Sequence, residues 1–395
     1  MHSGEAFTRT AVAWESMFSN QGQFSLHEKQ STDRSGVLRF DAKQHPFDRI
    51  VNECVRRRLD LSENAHNSRT TLSNLHKFAK PDDLDLICTA IYDLFLTAEF
   101  KQPYDSLCRK IIEEKFAGRA AHQRVPSVRI QMPGQSSVNY HTDEWYGHGH
   151  GVQNFWAPLT PVAGTNSLYV CDEQTSLQVT DKIRTERRSV QEMNQLARGA
   201  CRPLAMSFGE IYHFNSHIIH GTEINDTDQT RVSFDFRILL DGDDRGLKDE
   251  SFFVPFGQAQ VAANLERKIG VVYIGKRQGF TQVISQKYQA LLCNRYAAEN
   301  HLSVLVSETE LCGFDHLPTL WNMISGGYAG TFSNLIVFSA FLLPEDRNER
   351  RKLAKECKAR RLTVHFVAED IVARPNNMLD QIEAGYRKSE TSREH

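Results

Sequence analysis

Gly209–Arg237, GEIYHFNSHIIHGTEINDTDQTRVSFDFR, makes sense only beside Val138–Gly151, VNYHTDEWYGHGHG. Alternate side chains of an extended strand share a face, so in His141-Thr142-Asp143 the imidazole and the carboxylate point one way and Thr142 the other. That pair offers two corners of a metal site. The later stretch offers a third, His220 in His-Gly-Thr, and eleven residues on it places Arg231 in the strand pattern TRVSF, with Ser233 two positions further along the same face.

Two neutral imidazoles and one carboxylate on one side of an iron ion leave positions open for a co-substrate and dioxygen. On these residues the chain resembles the iron(II)/2-oxoglutarate-dependent oxygenases of the phytanoyl-CoA dioxygenase type. Their motif is His-x-Asp, then a distant His, then Arg about ten residues later, often with Ser two beyond. His141, Asp143, His220, Arg231 and Ser233 fall on those positions in that order. His213 and His217 share the stretch with His220, but the glycine after His220 and its spacing to Arg231 select His220, with His217 the reserve.

The resemblance implies a double-stranded β-helix, jelly-roll or cupin-like, with iron(II) held by His141, Asp143 and His220. It implies 2-oxoglutarate and O2 as co-substrates. Arg231, planar and permanently charged, would grip the far carboxylate with Ser233. Gln131 in SVRIQM and Asn154 in QNFWAPL are the candidates for further hydrogen bonds to the co-substrate. Arg129, on the face of Gln131, is a candidate pocket wall. Trp145 and Tyr146 offer flat faces to a sugar or another ring, and the glycines after them imply a loop able to approach a ligand. His148 and His150 read as exposed loop residues, and Arg237 as structural. Asp143 argues against a halogenase, in which a small residue vacates that position.

The chain has 395 residues and a net charge of -2, with a pI near 6.8. That length predicts two domains, and that charge gives no drive towards nucleic acid or anionic membranes. Eight cysteines without Cys-x-x-Cys spacing predict free thiols in a reducing compartment. With no apolar leader at the N-terminus and no apolar run longer than Leu335–Leu343, the expectation is a cytoplasmic protein without a membrane span.

Residues up to about Phe40 are polar and lack a period. A helix starts near Phe47, Ser62–Ser73 reads as a loop, and Pro81–Phe95 and Asp105–Phe116 read as scaffold helices. Strands are expected at 127–132, 153–159 and 167–170, followed by charged helix over 175–200. The oxygenase domain is placed at 1–258, with a linker near 258–267. From 268 to 375, short apolar runs alternate with helix-like segments, which predicts a smaller parallel α/β domain; 376–395 reads as a tail. The architecture is therefore α+β followed by α/β.

The second domain faintly resembles the catalytic domain of serine recombinases. No serine follows its first strand, so that activity is not carried over. Its helix Glu345–Arg361 is basic, but Glu349 and Glu356 interleave, and the pattern argues against nucleic-acid binding. A scaffold or a homodimer surface fits better. The pairing of domains is similar to the sporadic carbohydrate cluster 2-oxoglutarate/iron(II) oxygenases, which implies a small sugar-derived substrate, oxidised by hydroxylation of a C–H bond in a biosynthetic pathway. The rival from another class is a non-redox metal-dependent or sugar-binding module whose triad is vestigial or holds zinc.

Overall fold

The computed structural model describes residues 36–61, 70–186, 190–246, 248, 252–257, 268–277, 284–310, 317–326 and 331–391. The expected linker at 258–267, most of the loop after Leu61 and most of the polar N-terminal stretch lie outside these residues.

One strand organises the first part of the chain. β9 (Arg231–Leu240) is the longest strand, and it pairs antiparallel with β2 (Ala120–Gln123), β3 (Ser127–Gln131) and β4 (Gln153–Pro158). β4 pairs in turn with β7 (Glu210–Asn215), and β1 (Gly36–Arg39) and β10 (Phe253–Pro255) close the edges of a seven-stranded sheet. Along β9 the side chains alternate between two chemistries. Val232, Phe234, Phe236 and Ile238 join the main apolar core, while Arg231, Ser233, Asp235 and Arg237 occupy the other face.

The apolar face is covered by α1 (Phe47–Arg58), α2 (Leu84–Phe95) and α3 (Ala98–Phe116). Their ring contacts are close: Phe47 and Phe234 stand 5.2 Å apart edge to face, and Phe155 stacks on Phe236 at 5.2 Å. α3 begins seven residues before the predicted start, because Pro103 sits inside its first turns and does not end it.

Facing the polar side is a small sheet of β5 (Tyr169–Val170), β6 (Arg202–Pro203) and β8 (His220–Gly221). The predicted charged segment at 175–200 is two helices, α4 (Glu173–Glu186) and α5 (Val190–Ala200). A disulfide, Cys171–Cys201, joins their two outer ends. The expectation of free thiols is corrected at this pair; Cys54, Cys88, Cys108, Cys293 and Cys357 form no disulfide, and Cys312 lies outside the described residues. The hairpin between them returns the second cysteine to the first across a sequence separation of 30, a proximity that spacing alone does not reveal.

The second part is a five-stranded sheet in the order β12 (Leu302–Thr309), β11 (Lys268–Ile274), β13 (Asn334–Val337), β14 (Thr363–Phe366), β15 (Ile371–Ala373). Its first four strands are parallel, as their unbroken apolar runs require, and only β15 is antiparallel. α6 (Gln286–Glu299), α7 (Pro318–Ser325), α8 (Arg347–Ala359) and α9 (Met378–Thr391) accompany it. The predicted tail at 376–395 is corrected up to Thr391. Met378, Ile382 and Tyr386 recur one helical turn apart and are buried against the sheet.

The basic helix α8 gives part of its charge to α9. Arg350 is buried, with its Nε 2.9 Å from Glu383 Oε1, and Lys352 and Arg360 pair with Glu349 and Glu356 on their own helix.

α2 packs against α7 and joins the two parts of the chain. At this contact the buried Glu310 accepts hydrogen bonds from Tyr273 Oη at 3.0 Å and from Thr319 N at 3.3 Å. Burial, and then the neighbouring Asp85, raise its pKa above the ordinary glutamate value. A carboxyl whose folded pKa is raised favours the folded state while protonated. Its contribution is therefore lost as pH rises from the unfolded value towards the folded one. The urea midpoint should fall between about pH 5 and pH 8, by an amount on the order of 1–2 kcal/mol of stability. Asp85→Asn, which removes the neighbouring charge, should flatten that slope.

Candidate metal centre

The two triad stretches meet at a short antiparallel bridge. His141 N donates to His220 O and His220 N to His141 O, both at 2.9 Å, and Asp143 N donates to Ser216 O at 2.9 Å. Thr142 is extended, so His141 and Asp143 do face one way. Asp143, however, opens a one-turn 3-10 helix, Asp143–Tyr146, rather than continuing a strand. Gly221 lets the bridge close: a Cβ there would lie 2.8 Å from Tyr140 N and Cα. That is the physical reason a glycine follows His220.

Each imidazole is oriented through its other nitrogen. His141 Nδ1 lies 2.8 Å from Asn139 O and His220 Nδ1 2.9 Å from Ile218 O, so both Nε2 atoms turn inwards. They lie 3.5 and 3.6 Å from the same atom, Asp143 Oδ1. Together these three buried residues form a group able to hold a metal ion. Burial pushes the His220 imidazole down to about 4, so at neutral pH its ring is free to act as a ligand.

The second oxygen of Asp143 is held by a residue that the sequence assigned to structure. Arg237 Nε and Nη2 both donate to Asp143 Oδ2, at 2.9 and 2.7 Å, and Nη1 donates to Asp235. Burial would raise the Asp143 carboxyl, but Arg237, then the nearby histidines, hold it well below the usual carboxylate range. Arg237 thus fixes which oxygen faces the metal position.

Arg231 lies on the same face of β9 and has the opposite circumstances. It is 1% exposed, yet its bonds go to neutral oxygens, Ser167 O at 3.2 Å and Ser137 Oγ at 2.6 Å, with Trp156 6.0 Å from its guanidinium. No carboxylate among the described residues pairs with it, and its Nε is buried without a partner. Burial lowers its pKa to about 9, which leaves it charged at neutral pH.

The cavity between the two sheets is lined by His141, His220, Arg231 and Arg237, and also by Arg129, Asn154 and Trp156. Both amide atoms of Asn154 are buried with no hydrogen-bond partner; Ser233 Oγ is buried without one as well, although Ser233 is not among the residues that line the cavity. Such orphaned polar atoms cost free energy unless a ligand meets them.

Other expected residues stand elsewhere. Gln131 does not line the cavity; its amide donates to Gln135 O and Glu223 O and ties two loops together. Arg129 does line it, held by Asp235 at 3.3 Å. Trp145 packs beside Tyr140 and Ile219 rather than lining the cavity, and the side chain of Tyr146 lies outside the description. His148 is buried, not exposed as expected, whereas His150 is exposed. The loop glycines serve a protein contact, since a Cβ on Gly149 would lie 1.7 Å from Asp244 O. Asp235, Arg237 and His148 were missed as site residues. The alternation along RVSFDFR carries the first two, but nothing local to the sequence brings the turn at Asp243–Asp244 over His148.

No family model matches the chain. Among curated proteins it is similar to the streptomycin biosynthesis protein StrG of Streptomyces griseus, at 29% identity over 140 residues, covering 34% of this chain and 55% of that protein. The chain thus spans about half the length of that relative. Among solved structures, a non-heme monooxygenase titled as a ThoJ–Ni complex gives a TM-score of 0.33 at 15% identity, covering 68% of this chain and 93% of that one. EvdO2 from Micromonospora carbonacea var. aurantiaca, complexed with 2-oxoglutarate, gives 0.27 at 14%, covering 39% and 64%. The non-heme alpha ketoglutarate dependent carbocyclase SnoK from nogalamycin biosynthesis gives 0.26 at 12%, covering 36% and 76%.

Replacing Arg237 by Gln should leave the chain folded and weaken metal binding by about 10- to 100-fold, as loss of a residue that orients a ligand does. Titration of the metal-stripped protein with Mn(II), followed by calorimetry, measures it.

Proposed function

We propose that the chain is an iron(II)- and 2-oxoglutarate-dependent dioxygenase that hydroxylates a C–H bond of a small polar, sugar-derived substrate. The observation that carries this reading is Arg231, a guanidinium buried at one end of the cavity without an anion. A buried charge lacking its counter-charge costs several kcal/mol, and a dicarboxylic acid that also reaches the triad would supply it.

The donor set fits the metal. His141, Asp143 and His220 offer two nitrogens and one oxygen, the facial arrangement suited to iron(II), with further positions left for ligands. The two antiparallel sheets facing each other across the cavity support the double-stranded β-helix and the phytanoyl-CoA dioxygenase type. The stretch shared with a streptomycin biosynthesis protein supports a place in small-molecule biosynthesis.

When bound, iron(II) with 2-oxoglutarate and dioxygen would supply the oxidising power for C–H cleavage, 2-oxoglutarate leaving as succinate and carbon dioxide. The chain's own work is positional. Arg231 and Ser233 bind the far carboxylate, with Asn154 as a further hydrogen-bonding partner. Arg237 aims Asp143, and the aromatic wall of Phe155, Trp156 and Phe214 keeps water out. Arg129, partly exposed at the cavity and paired with Asp235, stands where it can meet the substrate. α6 of the second part touches the Asp143–Tyr146 turn, which supports a bracing role for that part of the chain.

Anaerobic reconstitution with iron(II), followed by oxygen, should release succinate from 2-oxoglutarate. Arg231→Gln should raise the KM for 2-oxoglutarate by about 100-fold or more, in line with the 2–5 kcal/mol lost when one partner of a buried charge pair is truncated. Arg231→Lys should not restore it, since an ammonium cannot offer the planar fork. Absence of succinate, together with equal stabilisation by zinc, would favour the non-redox binding module instead.

A further inference from the structure

Beside the triad lies a second group of donors with the same chemistry. Glu144, His150 and His217 each offer one ligand atom, all within 4.8 Å of one another. His150 Nδ1 stands 2.5 Å from Glu144 Oε1, and His217 Nε2 stands 3.3 Å from Glu173 Oε1. The two rings stack, with centroids 4.9 Å apart and planes 18° apart. Each imidazole thus has a carboxylate beside it, and the pairs face each other.

His217 supplies a second, independent observation. Its side chain is 10% exposed, and its Nδ1 is buried with no hydrogen-bond partner. An ion shared with Glu173 would be met by Nε2, the nitrogen beside that carboxylate, and the neutral ring would carry its proton on the buried Nδ1. Its companion His150 has a largely exposed side chain, which leaves an entry path from solvent.

We propose that Glu144, His150 and His217, with Glu173 as fourth donor, form a second divalent-cation site, separate from the iron triad, that takes Zn2+ in tetrahedral coordination. Two imidazoles and two carboxylates are a donor set zinc accepts, at about 2.0–2.2 Å from each ligand atom. That geometry places ligand atoms roughly 3.3 Å from one another; Glu173 Oε1 already stands 3.3 Å from His217 Nε2, and the spread of up to 4.8 Å among Glu144, His150 and His217 closes as the exposed His150 ring turns out of its stack. Charge balances as well: two glutamates and one dication sum to zero with both histidines neutral. Without the ion, protonating both stacked rings would set like charges against each other.

The four donors come from four places in the chain. Glu144 belongs to the turn that carries Asp143, and His150 ends the loop after it. His217 precedes His220, and Glu173 opens α4. An ion there fastens the Trp145–Gly151 loop to the turn before the distal iron ligand and to the helical hairpin that the disulfide closes. It acts as a structural clasp on these segments, not as a reaction centre.

The test uses the full-length chain stripped of metal and titrated with Co2+, the visible spectrum being read throughout. Tetrahedral cobalt absorbs far more strongly than octahedral cobalt, so the two sites report separately. Wild type should bind two equivalents, one of them with the intense tetrahedral band. His150→Ala, an exposed position that leaves the fold intact, and Glu144→Gln should each lose that band and one equivalent while keeping succinate release with iron(II). His220→Ala should lose the other equivalent and succinate release but keep the band, and His141→Ala serves the same purpose should the first variant not fold. One equivalent in wild type, or an intense band that survives His150→Ala and Glu144→Gln, overturns the proposal. Failure of the oxygenase reading would look different: no succinate from any variant, with the band still dependent on His150.

Discussion

Two guanidiniums on one face of β9 differ in the respect that matters most: Arg237 has its anions and Arg231 does not. Arg237 sits between Asp143 and Asp235, and this buried ion pair is satisfied within the chain. Arg231 is buried more deeply still and pairs with neutral oxygens. Removing a charge from water is costly, and a fold retains such a charge where something outside the chain completes it. The sheet, the covering helices and the small facing sheet all serve to hold that face dry and aligned.

The pairing of Asp143 with Arg237 couples the strand to the metal position. One carboxylate oxygen is fixed by two hydrogen bonds, which leaves the other equidistant, to within 0.1 Å, from the two imidazole nitrogens at 3.5 and 3.6 Å. The imidazoles are fixed in turn by backbone carbonyls two residues before them. Arg237 is the one long side chain on which the triad depends, and it is buried and held at both ends of its guanidinium by Asp143 and Asp235. Its precision comes from the bridge between residues 141 and 220, which Gly221 permits by leaving room for Tyr140.

Much of this was legible in the sequence, because strand alternation is a local property. RVSFDFRI announces a strand with one apolar and one charged face, and the spacing of His141, Asp143, His220 and Arg231 carries the centre. The parallel strands of the second part announce themselves as unbroken apolar runs. What the sequence hid depends on distant partners. Arg237 is indistinguishable from a surface arginine until Asp143, 94 residues away, is brought opposite. Cys171 and Cys201 are two scattered cysteines until α4 and α5 fold back. Gln131 shares a face with Arg129 but ends against two loop carbonyls. α9 was missed although Met378, Ile382 and Tyr386 mark its buried face, because its polar residues dominate the composition.

The proposed function requires Arg231 to receive a carboxylate some distance from the metal position. Calorimetry on the Mn(II)-loaded protein under anaerobic conditions, comparing 2-oxoglutarate with pyruvate, tests it directly. Both acids present the same keto-acid end to a metal, and only 2-oxoglutarate carries a far carboxylate. The account predicts binding of 2-oxoglutarate tighter by about 100-fold or more, the scale of a buried charge-assisted pair; equal affinities for the two acids would contradict it.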